Sequence, residues 1–268
     1  MSLYLLIDAS YMTFYRYYAV ISWYRRAYPD DEEINEKIIM DKFEKRFIEG
    51  IEELSKTYKV PYDNIFLCCD CPQKKIWRQQ IYPDYKKGRK VDHQISKAFI
   101  KLFDFIYPIL EKKNIKLFKC EQAEADDIVA VITKYLQDQH KIIIIASDQD
   151  YLQLLNDNTE IFTLNKKKNN LRDKSLGNSS LDLEVKIIIG DKSDNIQGCF
   201  PRFGVKKAIK YINEDKLESL FNKHLGSKEI YDLNRQLIDF NNIPENIKTK
   251  ILLQLKKVLD KKKSLLKV

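Results

Sequence analysis

The chain has 268 residues, 47 Lys and Arg against 39 Asp and Glu, and a net charge of +8. That length buries a sizeable core without covalent help, and the charge permits a polyanionic partner without requiring one, while the lack of any run of about 18 apolar residues argues against a membrane span. Five cysteines, Cys68, Cys69, Cys71, Cys120 and Cys199, are an odd number in a chain with no leader at its start, which points to a reducing, intracellular compartment and to buried strand thiols.

Residues 3–7 (LYLLI) form an apolar run that ends in Asp8. This is the pattern of a buried strand delivering a carboxylate to the C-terminal edge of a parallel sheet, where ligands bind. Asp8 equally suits the cap of a following helix, together with Ser10. The next segment mixes Tyr11, Phe14, Tyr15, Tyr17, Tyr18, Trp23 and Tyr24 with Arg16, Arg25 and Arg26. Such rings can stack on bases, yet core packing accounts for most of them. Phe43, Phe47, Ile51 and Leu54 share one face of a helix over 42–58. Residues 64–69 (NIFLCC) are a second strand, ending in Asp70. Cys68-Cys69-Asp70-Cys71 lacks the two-residue gap that lets paired thiolates share a zinc ion. The stretch 74–90, KKIWRQQIYPDYKKGRK, alternates basic and aromatic residues and is ill suited to a core. We expect a mobile, solvated element there, with Arg78, Lys86 and Arg89 on phosphates and Tyr82 or Tyr85 stacking.

Ile95, Phe99, Phe103, Ile106 and Leu110 place a helix over 94–110, and 115–118 is a third strand. In 121–132 (EQAEADDIVAVI), Glu124, Asp126 and Asp127 crowd the mouth of an apolar helix. One or two acids there answer the helix dipole. Two carboxylates about 4 Å apart at an effective dielectric of about 20 repel by roughly 4 kcal/mol, so three together imply a bound cation, protonation or a spread, solvated geometry. The strand at 141–146 (KIIIIA) leads into Asp148 and Asp150, whose i, i+2 spacing points both to one side. A further strand at 160–164 and a basic loop at 165–180 precede 183–189, which leads into Asp191 and Asp194. Residues 198–209 (GCFPRFGVKKAI) hold a glycine-bearing turn whose amides can bind a phosphate. Beyond 213 the pattern is helical and basic, with Ile251, Leu252, Leu255 and Leu259 as an apolar stripe, and no linker divides the chain.

Alternation of strands and helices, with carboxylates at successive strand ends, implies an α/β sheet with a single acidic rim. Asp8, Asp70, Glu124, Asp126, Asp127, Asp148, Asp150, Asp191 and Asp194 would converge on it. Hard oxygen donors point to Mg²⁺ or Mn²⁺, since His93, His140 and His224 form no ligand pair. Two such cations about 4 Å apart would activate water and stabilise both oxygens of a phosphodiester displacement. No nucleophilic serine turn or P-loop offers a rival mechanism.

The set AEADDIVA, SDQDYLQLL and GDKSDNIQG, with RQQIYPDYKKGR before it, resembles the 5′ nuclease superfamily: the 5′→3′ exonuclease domain of bacterial DNA polymerase I, phage 5′ exonucleases, phage ribonuclease H and flap endonucleases. The likeness runs from Leu3 to about Ile212. It implies an α/β, PIN-like fold with a mostly parallel central sheet, flanking helices, a helical arch or clamp, and a C-terminal helix-hairpin-helix region. The nuclease core would span 1–190, with the arch at about 74–110, and a helical DNA-binding region at 191–268 would pack on it. By the same resemblance, Asp8, Asp70, Glu124 and Asp126 would hold one Mg²⁺. Asp127 or Asp126 with Asp148, Asp150 and Asp191 would hold the other, Asp194 lying outside. Arg78, Tyr82 and Lys86, with Arg89 beside them, would steer the scissile phosphate, and Arg202, Gly204, Lys206 and Lys207 would grip duplex DNA.

The family's hairpin can also hold K⁺. Here Arg202-Phe203-Gly204 stands where the family usually has a glycine before the hydrophobic residue, and an extra residue follows Gly198. A bulky residue is costly where a turn needs positive φ, so a reshaped turn without a secure K⁺ site is expected. The implied activity is a structure-specific 5′ nuclease working as a monomer on DNA with 5′ ends, flaps or nicks. Removal of RNA primers from RNA–DNA hybrid is the alternative within the family. A non-catalytic DNA-binding protein would have lost acids from the set. A PIN-type ribonuclease would lack the arch and the hairpin. No polymerase domain is expected after the nuclease.

Overall fold

A computed structural model describes residues 1–71, 75–88, 93–165 and 170–265. Five parallel strands, β1 (Leu3–Asp8), β2 (Ile65–Cys69), β3 (Lys116–Lys119), β4 (Lys141–Ile145) and β5 (Thr159–Phe162), lie in the order β3-β2-β1-β4-β5. The chain therefore builds outward from β1 in one direction, then crosses to β4 on the other side of β1. That reversal opens a crevice at the C-terminal ends of β1 and β4, and Asp8 and Asp148 sit beside it.

Near-continuous apolar strands are what a sheet covered on both faces requires. Tyr4, Leu6, Phe66, Cys68, Ile142 and Ile144 turn to one face, which α6 (Ala125–Leu136) and α11 (Glu245–Leu265) cover. The predicted stripe supplies the α11 contact: Ile251 and Leu255 are buried, with Leu252 and Leu259 packed beside them. Leu5, Ile7, Ile65, Leu67, Ile143 and Ile145 turn to the other face, under α1 (Ala9–Ala27) and α2 (Glu36–Tyr58). Each such side chain contributes about 1.5–3 kcal/mol on burial. α2 starts six residues before the predicted helix because the Asn35 side chain caps it, accepting from the Ile38 amide at 3.3 Å.

Two expectations need correction. The helix over 94–110 is not regular: α4 (His93–Lys101) and α5 (Tyr107–Lys112) flank a π-helical turn, Leu102–Ile106, closed by the Tyr107 amide on the Leu102 carbonyl. Pro108 has no amide to continue an α ladder, and the wider turn absorbs the break. Nor is the basic, aromatic stretch 75–88 a solvated element. It contains α3 (Trp77–Ile81), and Ile76, Trp77, Arg78 and Tyr85 are buried. Backbone bonds stitch it to the acidic loops: Trp77 N to Gln122 O at 2.9 Å and Lys86 N to Asp194 O at 2.8 Å. Arg89 lies outside the described residues.

α7 (Ser179–Ile189), α8 (Val205–Asn213), α9 (Leu217–Lys223) and α10 (Ser227–Ile238) form a third cluster, to which Ile76 and Tyr85 also belong. The α7–α8 connection turns at Gly190, whose φ is +71°. A Cβ there would sit 2.5 Å from the Ile196 carbonyl oxygen and 2.6 Å from that of Gln197. Gly190→Ala is expected to lose about 1–3 kcal/mol, read as a lowered urea midpoint; an unchanged midpoint would show that the turn relaxes freely.

Candidate active site at the acidic sheet edge

The acidic trio is built around the N-terminus of α6. Glu124 is its cap and Asp127 closes a capping box, accepting from the Glu124 amide at 2.9 Å. Arg78, 2% exposed, reaches into this turn. Its Nη1 donates to Glu124 Oε2 at 2.8 Å and to Asp127 Oδ2 at 3.1 Å, its Nη2 to Asp127 Oδ1 at 2.9 Å, and its Nε to the Leu237 carbonyl at 2.8 Å. Trp77 Nε1 donates to Asp127 Oδ2 at 2.9 Å. The guanidinium expected on a phosphate is thus engaged by the protein's own carboxylates. Burial works against its charge, but Asp127 and Asp126 hold it cationic.

Asp126 is the least compensated of the three. Its Oδ1 accepts from the Asp127 amide at 2.7 Å, and Arg78 Nη2 stays 3.8 Å from Oδ2. Burial, then repulsion by Asp127 and Glu124, pushes its carboxyl well above the ordinary range. Glu124 goes the other way: burial opposes its ionisation, but Arg78 and Lys86 hold it below the usual value. One oxygen from each of the three lies within 4.8 Å of the others. Lys86 donates to Glu124 and stands 3.7 Å from Asp194 Oδ2, while the Tyr85 hydroxyl donates to Asp194 at 2.9 Å. Tyr85 is buried and does not face solvent as a stacking ring would; Tyr82 is half-buried, its hydroxyl on the Asn195 carbonyl at 3.2 Å.

Asp8 fulfils both readings of the sequence. It ends β1 and caps α1, Oδ1 accepting from the Tyr11 amide and Oδ2 from the Tyr151 hydroxyl, both at 2.9 Å. Burial first, then repulsion by Asp70, pushes it up to about 7. Asp70 accepts from the Ser10 hydroxyl and, at 2.7 Å, from the Ala125 amide in the first turn of α6. On the β4 side Asp148 caps a 3-10 turn, Gln149–Leu154, accepting from the Asp150 amide at 3.0 Å. Lys186 bridges Asp150 at 2.8 Å and Asp191 at 2.5 Å. Burial and Asp148 push Asp150 up to about 7; hydrogen bonds from Lys186 and Ser193 outweigh burial and lower Asp191.

The candidate acids therefore fall into neighbouring groups, two of them bridged by resident cations. Arg78 and Lys86 serve the Glu124 side, Lys186 the Asp150 side. Among the described residues no Lys or Arg pairs with Asp8, Asp70 or Asp148. A donor set of oxygens alone, with half-buried Asp8 and Asp70 and exposed Asp148 lacking a cationic partner, fits hard divalent cations. The nearby thiols do not compete for them: desolvation pushes buried Cys69 up to about 12 and half-buried Cys71 to about 11, so both stay protonated at neutral pH.

Lys186, Tyr151 and Trp77 were not singled out from the sequence. Lys186 could have been, since a basic residue one turn before a helix end reads as a dipole partner, and this one precedes Asp191 by five positions. The second basic group faces solvent: Arg202, Lys206 and Lys207 are exposed beside Gly204, which caps α8, with Lys207 Nζ 3.5 Å from the Arg202 carbonyl. Arg202 has φ +53° and Gly204 an extended φ of −115°, so the turn keeps a left-handed residue despite its side chain, at about 1–2 kcal/mol. No helix among the described residues is long and apolar enough to cross a membrane.

Residues 3–180 match the model of the family described as 5′-3′ exonuclease, N-terminal resolvase-like domain. A 5′-3′ exonuclease of Mycoplasmopsis pulmonis is 31% identical over 182 residues, 66% of this chain and 60% of the relative. Ribonuclease H of enterobacteria phage T4 is 27% identical over 248 residues, 84% of this chain and 79% of the relative. The chain thus spans 60% of the length of the bacterial 5′-3′ exonuclease it matches. Its fold resembles that of the bacteriophage T5 flap endonuclease solved as a pseudo-enzyme–product complex with DNA and metal ions, with a TM-score of 0.71 at 18% identity over 96% of this chain and 99% of that one.

Proposed function

The chain belongs to the 5′-3′ exonuclease family defined by its N-terminal resolvase-like domain, and on that premise we propose that it is a structure-specific 5′ nuclease, hydrolysing DNA phosphodiester bonds with two divalent cations, Mg²⁺ or Mn²⁺. The observation that carries this reading is the oxygen-only rim, at whose tightest point one carboxylate oxygen from each of Glu124, Asp126 and Asp127 lies within 4.8 Å of the others. Asp8, Asp70, Glu124 and Asp126 are the donors for one cation, and Asp126 with Asp148, Asp150 and Asp191 for the other. Asp127, fully buried, with Oδ1 on Arg78 and Oδ2 on Arg78, Trp77 and the Glu124 amide, is a positioning residue instead. Such cations, when bound, supply a water nucleophile at neutral pH and neutralise charge on the leaving oxygen.

Arg78 holds the trio in place, and Lys86, at the mouth of the rim, is the cation nearest an incoming phosphate. Arg202, Lys206 and Lys207, with the amides that follow Gly204, hold duplex backbone, and α7 to α10 act as the helix-hairpin-helix region. A second reading, hydrolysis of RNA in RNA–DNA hybrid, is favoured by the 84% coverage of this chain by the phage T4 ribonuclease H match. The test uses 5′-labelled flap, nicked duplex and RNA–DNA hybrid, each with Mg²⁺, Mn²⁺ or chelator. Chelator is expected to abolish cutting of all three, and cutting in its presence would refute the mechanism. Binding should weaken steeply with salt, as counterion release requires.

The pH dependence follows from Asp8 and Asp150, each pushed up to about 7. The unfolded chain loses these protons near about 3.9, so the pair contributes stability that is full below that value and lost as pH rises through about 7. Divalent cations require the ionised forms and release protons on binding. The Mg²⁺-induced rise in melting temperature is therefore expected to grow from about pH 6 to about pH 8. A rise independent of pH across that range would contradict the assignment of Asp8 and Asp150 as donors.

A further inference from the structure

A second cavity lies apart from the acidic rim. Between α1 and α2, a half-open cavity of about 450 Å³ is lined by residues that include Tyr15, Arg16, Trp23, Lys42, Arg46 and Tyr58. That volume suits one small ligand. The charged groups lining it are Arg16, Lys42 and Arg46 against Glu53, with Glu49 pairing Arg46 from outside the lining at 3.0 Å, so the cavity keeps a net cationic lining. Tyr15 is 37% exposed, and Lys42 Nζ sits 4.4 Å from the centre of the Trp23 ring. Cations set among aromatic walls match a ligand with both an anionic group and a flat π-face.

Two details separate this cavity from an ordinary solvated groove. Arg16 Nε is buried and has no hydrogen-bond partner among the described residues, a donor that lacks an acceptor. Gly50 gives the guanidinium its place: a Cβ there would fall 2.4 Å from Arg16 Nη2. The weak pairing of Arg16 with Glu53, at 3.7 Å, leaves Nε unanswered. The cavity is also linked to the rim through α1. Asp8 caps that helix, Tyr11 donates its amide to Asp8, and the Tyr11 and Tyr15 rings are 6.2 Å apart. At about 1.5 Å per residue, Arg16 lies roughly 12 Å along the helix from Asp8, a span of two or three nucleotides.

We propose that this cavity binds one nucleoside monophosphate unit, with the base against Tyr15 and Trp23, the phosphate on Lys42 and Arg46, and a ligand oxygen accepting from Arg16 Nε. The unit is either a free mononucleotide or one unpaired nucleotide of a strand held at the rim. The site uses none of the acidic residues, so it is testable in chelator, and its failure would leave the nuclease reading untouched.

The chain has two tryptophans, Trp23 and Trp77, and Trp77 is buried beside Asp127. Titrating deoxyadenosine monophosphate in chelator is expected to quench tryptophan emission saturably, with a Kd of about 1 mM or tighter, and Trp23→Phe should remove the change. Gly50→Ala, which suits a helix but drives the guanidinium from its seat, and Arg46→Glu, a surface change, should each weaken binding about tenfold or more. In the second arm, 2-aminopurine is placed as a single unpaired nucleotide beside a nick. A fluorescence change that Arg46→Glu abolishes assigns the site to the strand, whereas quenching by the mononucleotide alone assigns it to free nucleotide. No saturable quenching up to about 10 mM together with no 2-aminopurine change that Arg46→Glu abolishes, or quenching unaltered by both Gly50→Ala and Arg46→Glu, overturns the proposal.

Discussion

Asp126→Asn and Asp148→Asn chains are expected to fold, to bind flap DNA within a few-fold of the parent, and to cut it at least about 10²-fold more slowly. Groups that merely orient a metal ligand already give losses of about 10–100-fold, so a donor should exceed them. Asparagine keeps the shape and one acceptor oxygen of each site, and both are used: Asp126 Oδ1 takes the Asp127 amide at 2.7 Å, Asp148 Oδ1 the Asp150 amide at 3.0 Å. The change therefore removes a charge and little else. For Asp126 that charge is repelled by Asp127 and Glu124 and penalised by burial. Asp126→Asn should consequently leave metal-free stability unchanged or higher while abolishing the Mg²⁺-dependent rise in melting temperature. Loss of turnover with retained or improved stability cannot arise from misfolding. Single-turnover cleavage of a 5′-labelled flap, paired with melting curves in chelator and in Mg²⁺, makes the comparison; cutting at the parental rate by both variants would mean the roles are wrongly assigned.

The features legible in the sequence were those set by neighbours along the chain. Residues 141–145 announce a strand because four β-branched isoleucines in a row suit a strand buried on both faces, and β4 is an interior strand between β1 and β5. Asp8, Asp70 and Asp148 were legible as strand-end carboxylates because strand and acid are adjacent in sequence. The fate of Arg78 was not. Nothing in RQQIYPDYKKGR distinguishes an arginine for phosphate from one for carboxylate, because its partners Glu124 and Asp127 lie 46 and 49 positions away. Tyr85 went the same way, its hydroxyl claimed by Asp194, 109 positions on. The π-turn at Leu102–Ile106 was concealed because apolar spacing reports which face is buried, not which carbonyl each amide meets, although Pro108 was in view.

Arg78→Met is expected to lower folding stability by about 3–5 kcal/mol, the range for removing one partner from a buried ion network. Methionine fills much of the volume, so the loss is electrostatic: the carboxylates of Glu124, Asp126 and Asp127 keep their burial and lose their main counter-charge, and the Leu237 carbonyl loses its donor. Two further measurements identify the cause. Arg78→Met combined with Asp127→Asn should recover part of the loss, with a coupling of about 0.5–3 kcal/mol, because a neutral amide at 127 no longer needs the guanidinium. Mg²⁺ should stabilise Arg78→Met by more than it stabilises the parent, since a cation among the trio then relieves repulsion that Arg78 otherwise screens. Urea unfolding at fixed salt, with and without Mg²⁺, reads all three quantities. A variant with the parent's midpoint but weakened flap binding would reverse the assignment, making Arg78 the phosphate contact that its sequence setting implies and leaving the acidic turn to be held together by α6, Trp77 and Lys86.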